Sequence, residues 1–458
     1  MENNSRLIAT VPDGARARPG IMAWSAAAVW TTGFGFTVVA SDLINLRFRD
    51  QWLPLLAMSA LVVAAHYRLL LVLLRYANPG LLLVLGWALF SAAWSAVPGY
   101  AVTQAIAVVG VAVIASAFAL AGWQPDRFAL RLAGVATVLI VASIFYAVVF
   151  PERGIHSGTD VSLLNSWRGV TVQKNGLGQL CAVGTIVWTY LWAARKVSTW
   201  IAVLGLGLSL FVLLQSRSST SLMLAVLCSA GTVALLRPPL NVGPLLRRSI
   251  TGAIIVLIPS ATYLAVATPY LGFIGAFFGK DMTFSGRVQI WEALMEEIAL
   301  HPWLGTGLSS FWGEMDAGEM RVRAIVGWPV RDSHNGYITV ANELGLIGLS
   351  LFFAFLILHC VALRRLSHIS RSQYALHAPL FAYIVLANTS ESGWFFPISI
   401  THLVGTYVSV EVSRLLLEHG LRRRRQPEPR TPPTAPQFAH LAGARAVADT
   451  APSPRNIE

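Results

Sequence analysis

The chain has 458 residues, of which 55% are hydrophobic and only 12% are charged. Soluble globular proteins carry roughly 25% charged residues, so this composition excludes an ordinary water-soluble domain. The net charge of +12 could indicate a nucleic-acid partner. Lys and Arg lie mostly in short loops and in the C-terminal tail, however, where the positive-inside bias of membrane proteins places them. The sequence therefore predicts an all-α integral membrane protein without a nucleic-acid partner.

Apolar runs long enough to cross a bilayer, which takes roughly 20 residues, recur from residue 21 to residue 417. We predict about 12 transmembrane helices, near 21–40, 51–66, 80–97, 100–122, 130–150, 175–194, 198–214, 218–236, 249–268, 337–361, 374–390 and 394–416.

The basic loops set the orientation. If the N-terminus is cytoplasmic, the inward segments that follow all carry Arg or Lys, whereas Arg47 and Arg49 fall outward and count weakly against the bias. Both termini are therefore predicted to be cytoplasmic. The chain divides into a cytoplasmic N-terminal segment (1–20), nine spans (21–268), a large outward loop (269–336), three more spans (337–417) and a disordered cytoplasmic tail (418–458).

The large outward loop is predicted to contain an amphipathic helix over 285–300. Its apolar face would consist of Val288, Trp291, Leu294, Met295 and Ile298, with Glu292, Glu296 and Glu297 on the other face. His301-Pro302 should end the helix, because proline cannot continue the hydrogen-bond ladder.

Four polar clusters fall on the outward side of this topology. They lie at 167–178, at 215–219, at 285–287 with 301–307, and at 332–337 with 342–348. Arg217 stands in a short outward turn, against the orientation bias. Arg287 begins a helix, where the helix dipole disfavours a cation. Each residue alone could be an ordinary loop charge, but together they indicate a site.

Several cations beside one histidine suit an anionic, lipid-linked substrate. Arginine presents a planar fork that matches phosphate oxygens, and it can stabilise a pyrophosphate leaving group as its charge develops. Histidine, with an ordinary pKa of roughly 6.5, can accept a proton from a hydroxyl near neutral pH. We find no outward DxD pair and no metal-ligand spacing, and therefore predict no metal and no cofactor.

The motifs resemble those of a known superfamily. The HNGY sequence at 334–337 with ELGLIG at 343–348 resembles the signature of the O-antigen ligase and polymerase superfamily. The segment from SGR at 285–287 to HPWLG at 301–305 is similar to the stretch before that signature, and SRS at 216–218 resembles its arginine-bearing turn. WRG at 167–169 with KNGLG at 174–178 is most similar to the exopolysaccharide polymerase branch.

The resemblance implies an inverting, metal-independent, multi-span glycosyltransferase of the bacterial inner membrane. Such an enzyme moves a glycan from undecaprenyl pyrophosphate to an acceptor hydroxyl on the periplasmic face, with the large loop as a lid. By position, His334 would be the catalytic base, and the substrate-binding residues would be Arg217, Arg287, Lys174, Arg168, Asn335 and Glu343.

Several functions stay open at this point. A polymerase would extend a lipid-linked repeat unit, whereas a ligase would transfer the glycan to lipid A core or to protein. The Trp-Arg-Gly and Lys-Asn pattern favours a polymerase. A transporter of lipid-linked sugars would carry ionisable residues inside several spans, but the predicted spans look nearly free of them, with His359 near one end. A scaffold of an export complex would not need the cations. Besides the bilayer and the lipid-linked saccharide, a chain-length regulator is a candidate partner.

Overall fold

The computed structural model describes residues 48–121, 125–157, 163–237, 287–312, 317–396 and 399–425. These ranges are helical and contain no strand beyond a single antiparallel bridge between Ile155 and Trp167. The helices are α1 (Phe48–Ala65), α2 (Tyr67–Leu74), α3 (Pro79–Phe90), α4 (Pro98–Ala121), α5 (Pro125–Val149), α6 (Pro151–Gly154), α7 (Lys174–Ala193), α8 (Thr199–Gln215), α9 (Ser219–Leu236), α10 (Arg287–Leu300), α11 (Ala317–Val326), α12 (Gly336–Ile369), α13 (Arg371–Ala387) and α14 (Ile400–Arg425).

The chain is a multi-pass membrane protein. Within the described ranges, four helices are apolar and long enough to cross a bilayer, namely α4, α5, α9 and α12. The pair α1 and α2 would add a fifth span if it acts as one, although the two helices meet at a 90° bend. The shorter helices α3 and α8 are apolar but fall below the length of a full span. A total of 12 spans therefore stays a prediction.

Some predicted segments differ from the helices observed. Within the predicted span 80–97, α3 ends at Phe90 and is followed by a short 3₁₀ turn over Ser91–Ala93. The prediction of one continuous helix over 80–97 was therefore wrong. The predicted spans 21–40 and 249–268, the N-terminal segment 1–20, the start of the large loop including Ser285, and the tail beyond residue 425 lie outside the described residues.

The bundle is built around α7. Every residue of α7 from Leu177 to Leu191 is buried, and α7 packs against α5, α8, α9 and α13. A second set of contacts joins α12 to α3, α10, α13 and α14. Inside a bilayer, apolar side chains gain no hydrophobic free energy by leaving lipid for a helix interface. Helices therefore associate through close packing, which small residues allow. Gly178 of α7 illustrates this, because its Cα faces Ser218 at the start of α9 with no room for a side chain.

Ionisable residues are buried inside the bundle, contrary to the prediction that the spans are nearly free of them. Arg414 of α14 is fully buried and donates to Glu411 at 2.6 and 2.8 Å and to Glu418 at 3.2 Å. His377 of α13 and His359 of α12 are buried as well. The sequence analysis overlooked the Glu411–Arg414–Glu418 set because it lies near the end of an apolar run.

The predicted amphipathic helix exists as α10, but its buried face is rotated. Ile290, Ala293 and Leu294 form a small core with residues of α11 and the following loop, whereas Met295 is half exposed. Glu297, predicted to face solvent, is buried and accepts a bidentate ion pair from Arg321 of α11 at 2.6 and 2.7 Å. Packing against α11, which the sequence analysis did not identify, decides the buried face.

A break divides α12 at Gly345, whose backbone has φ +67° and ψ −175°. The loop after α10 inserts its backbone there. Leu346 N donates to Pro302 O at 2.8 Å, and Gly307 N donates to Glu343 O at 2.8 Å. The loop thus supplies hydrogen bonds that a continuous helix would make internally.

Replacing Gly345 with alanine should destabilise the protein by at least about 2 kcal/mol, because a left-handed residue with a Cβ costs roughly 1–2 kcal/mol and an overpacked site adds to that. The new Cβ would overlap the backbone of Trp303. Gly134→Ala is the matched control, since a Cβ there meets nothing within 4 Å. Thermal unfolding in detergent measures both variants, and equal melting temperatures would contradict the prediction.

Candidate active site

The structure brings parts of all four polar clusters to one end of the helix bundle. Trp167 N donates to Gln215 O at 3.0 Å, which joins the loop before α7 to the turn before α9. Asn175 of α7 reaches Glu391, in the loop after α13, at 2.7 Å. The same loop contacts the first residue of α12, where Gly336 N donates to Glu391 O at 3.0 Å.

Glu391 connects several elements at this end of the helix bundle. Its Oε1 accepts from Asn175 Nδ2 at 2.7 Å and from an Arg287 guanidinium nitrogen at 3.1 Å. The other Arg287 nitrogen donates to Ser390 O at 2.5 Å. Glu391 Oε2 lies 3.9 Å from His334 Nδ1. One carboxylate thus connects the predicted base with one predicted donor-binding arginine.

His334 occupies a tight turn before α12, with a left-handed φ of +49°. Its backbone N donates to Asp332 Oδ1 at 2.5 Å, and its Nδ1 lies 3.3 Å from the same oxygen. Asn335, the next residue, caps α12 by accepting from the N–H groups of Tyr337 and Ile338 at 3.0 and 3.2 Å. The turn and the cap therefore fix the backbone of His334 relative to the helix.

Two loops are joined around this histidine. Ser392 Oγ donates to Asp332 Oδ1 at 3.2 Å and lies 2.9 Å from Ser333 Oγ. Trp291 of α10 donates to Ser333 O at 2.8 Å. The turn that carries His334 is thus held by the α13–α14 loop on one side and by α10 on the other.

The surroundings of His334 change its acidity. Burial lowers the pKa of the imidazole, but the carboxylates of Glu391 and Asp332 raise that pKa by more than burial and the Arg287 cation lower it. The net pKa lies above the ordinary histidine value. The two carboxylates therefore stabilise the protonated ring. A general base needs such stabilisation, because it carries a proton after the transfer.

Two helices begin in this small region, namely α7 at Lys174 and α12 at Gly336. The start of α9 also lies against α7 through the Gly178–Ser218 contact. A helix N-terminus carries a partial positive charge even where its first N–H groups are capped. Together with Arg287, these termini make this end of the bundle favourable to an anion.

The other predicted cations lie at the edge of the region, where Arg217 and Arg168 donate to loop carbonyl groups. Arg217, left-handed at φ +51°, donates to Leu164 O at 3.3 Å. Arg168 donates to Arg153 O at 2.5 Å. Lys174 begins α7 beside Asn175, and its backbone N donates to His156 Nε2 at 3.2 Å. Arg168 and Arg217 thus contact the adjoining loops, and none of their described hydrogen bonds reaches Glu391.

Two predicted binding residues have structural partners. Asn335 caps α12, as described above. Glu343 is buried in α12 next to the Gly345 break, and its Oε2 accepts from Ser309 N at 2.8 Å. Glu343 therefore holds the 301–309 loop, and the described contacts do not place it beside His334.

The sequence analysis did not select Glu391 as a site residue. Its signal is modest: it is an acidic residue between two serines in a short outward turn between apolar runs. Asn175 and Asp332 fell inside the predicted clusters without being assigned a role. Their importance follows only from their contacts with Glu391 and His334.

The comparisons with known proteins agree with the motifs. A family model described as O-antigen ligase matches residues 177–353. The resemblance to the O-antigen ligase and polymerase superfamily is confirmed. The chain is also similar to the exopolysaccharide production protein ExoQ of Rhizobium meliloti (strain 1021), with 25% identity over 346 residues, covering 71% of this chain and 72% of that protein. The matched O-antigen ligase segment contains Arg217, Arg287 and His334, whereas Glu391 lies beyond it.

Proposed function

We propose that the chain is a polysaccharide polymerase that transfers a glycan from undecaprenyl pyrophosphate to the hydroxyl of a lipid-linked repeat unit, for exopolysaccharide or O-antigen synthesis. The observation that carries the proposal is the Arg287–Glu391–His334 cluster, in which a cation and a base share one carboxylate. A cation for the leaving group and a base for the acceptor are the two groups that metal-independent glycosyl transfer needs.

The donor pyrophosphate would bind against Arg287. Glu391 and Ser390 O hold its guanidinium at 3.1 and 2.5 Å, and a guanidinium has five N–H donors, so further donors serve phosphate oxygens. The N-termini of α7 and α12 add positive potential. Arg217, Lys174 and Arg168 would extend this potential along the path of the lipid-linked substrate.

The acceptor hydroxyl would meet His334. As its oxygen forms a bond to the anomeric carbon, the hydroxyl proton passes to the imidazole and the bond from the anomeric carbon to the pyrophosphate oxygen breaks. The electron pair of that bond leaves with undecaprenyl pyrophosphate, whose new charge Arg287 stabilises. Attack opposite the leaving group inverts the anomeric centre. In this scheme the arginine supplies the charge stabilisation that a metal ion supplies elsewhere.

Polymerase and ligase share this donor chemistry and differ in the acceptor. Two observations favour the polymerase. The Trp-Arg-Gly and Lys-Asn motifs resemble the exopolysaccharide polymerase branch, and the similar Rhizobium protein is named for exopolysaccharide production. The proposal places the protein in the bacterial inner membrane, with both termini in the cytoplasm and the His334 cluster facing the periplasm, where lipid-linked repeat units are joined.

Transport of lipid-linked sugars is the second candidate, because the structure places ionisable residues inside the bundle. Arg414 has both of its carboxylate partners, Glu411 and Glu418, on its own helix. Ion pairs along one helix match a role in stabilising that helix, whereas a substrate path would be expected to run between helices.

A transfer assay separates the two functions. The purified full chain in lipid nanodiscs, supplied with lipid-linked saccharide extracted from a deletion strain and with EDTA, should form longer lipid-linked glycans. Each new glycosidic bond should release one undecaprenyl pyrophosphate. Failure to form any new bond, combined with movement of the saccharide across vesicles containing the protein, would support transport and contradict the proposal.

A further inference from the structure

We propose that Asp332 is the positioning residue that holds the proton on Nδ1 of His334 and thereby leaves Nε2 to act as the base, an inference that rests on the proposed function. Glu391 would instead serve the donor side of the site. His334 lies between two carboxylates, and the geometry assigns them different tasks.

Asp332 is the nearer carboxylate. Its Oδ1 lies 3.3 Å from His334 Nδ1, compared with 3.9 Å for Glu391 Oε2. The same Oδ1 accepts the backbone N–H of His334. A side chain that accepts from the residue two positions later forms an Asx-turn, which stabilises left-handed backbone of the kind His334 adopts. Asp332 therefore holds the backbone of His334 and places a negative charge beside its ring.

Glu391 is occupied by other groups. Its Oε1 accepts from Asn175 at 2.7 Å and from Arg287 at 3.1 Å. A carboxylate shared by a guanidinium and an amide has part of its charge compensated, and moving it towards His334 would strain both contacts. Asp332, by contrast, receives a serine hydroxyl, that of Ser392 at 3.2 Å, and the His334 backbone.

The consequence concerns the tautomer of His334. A ring nitrogen beside a carboxylate carries the hydrogen, and the other nitrogen is then the lone-pair donor. His334 Nδ1 lies 3.3 Å from Asp332 Oδ1, an ion-pair distance at which the two atoms are not aligned for a hydrogen bond in this structure. A carboxylate at this distance favours the tautomer with the hydrogen on Nδ1, which leaves the Nε2 lone pair for the acceptor proton. The imidazolium formed during transfer would be stabilised by the carboxylates of Glu391 and Asp332 together, with Arg287 opposing them.

Asp332→Asn separates charge from geometry, because an amide oxygen can still accept the His334 N–H and preserve the turn. In the nanodisc assay, kcat should fall by about ten- to a hundredfold, since positioned base catalysis contributes roughly 10²–10⁴. The acidic limb of the kcat profile should move down by about one pH unit, because a nearby carboxylate no longer favours the protonated ring. KM for the extracted lipid-linked saccharide should change by less than about twofold.

Glu391→Gln is the matched variant. It should raise that KM by about tenfold, because Arg287 loses a charged partner. A KM increase in Asp332→Asn instead, or an unchanged kcat and pH limb, would overturn the assignment of Asp332. His334→Ala distinguishes a failure of the proposed function from a failure of the role assigned to Asp332. If His334→Ala stays active, the proposed base itself fails, whereas an inactive His334→Ala beside a fully active Asp332→Asn overturns only the inference.

Discussion

Replacing His334 with alanine is expected to lower the rate of glycan transfer by about two to four orders of magnitude, the usual contribution of a positioned general base. The wild-type rate should rise with pH as the ring loses its proton. Because the carboxylates of Asp332 and Glu391 raise the pKa of His334, the midpoint of that rise should lie above roughly 6.5, the ordinary histidine pKa. Initial rates in nanodiscs across a pH series measure both effects.

His368→Ala is the control for this variant. His368 is exposed near the far end of the same helix, α12, and its loss should leave the rate and the pH profile unchanged. A His334→Ala protein that is folded and transfers glycan at more than a tenth of the wild-type rate would show that His334 is not the base.

Replacing Arg287 with alanine is expected to lower kcat by about 10²–10³, as the loss of one preorganised donor to a developing anion usually does. Lysine keeps the charge but lacks the planar fork. It cannot reproduce the paired contacts with Ser390 O and Glu391. Arg287→Lys should therefore recover less than about a tenth of the wild-type rate. Steady-state kinetics with extracted lipid-linked saccharide measure both variants.

Arg321→Lys is the matched control for Arg287. Arg321 also makes an arginine–glutamate pair, with Glu297 at 2.6 Å, between α10 and α11. Its replacement should change stability slightly and leave the kinetic constants alone. If Arg287→Lys leaves the kinetic constants as unchanged as Arg321→Lys does, a positive charge alone is sufficient at position 287. Binding of pyrophosphate by the planar guanidinium of Arg287 would then be wrong.

The sequence predicted the membrane class, most helix positions and the local motifs of the site. Apolar runs are local signals, and they placed α4, α5, α7, α8 and α9 within a few residues of their observed bounds. His334 and Arg287 were recognised because their motifs have characteristic neighbours along the chain.

The remaining features depend on distant parts of the chain. Glu391 lies 104 residues from Arg287 and 216 residues from Asn175, so only the packing of α7, α10 and α13 reveals their contact. The break at Gly345 lies within an apolar run, and the backbone of the 301–307 loop creates it. Glu343 likewise resembles a functional acid in the motif, yet its observed partner is Ser309 of the same loop.

The most direct test of polymer formation at the His334 cluster is the length of the lipid-linked and secreted polysaccharide in a deletion strain. The strain would carry either the wild-type protein or His334→Ala, expressed at equal levels. The account predicts long polymer with the wild type and accumulation of single lipid-linked repeat units with His334→Ala. Accumulation of long lipid-linked polymer that is never transferred would indicate a ligase, and equal polymer with both proteins would contradict the central claim.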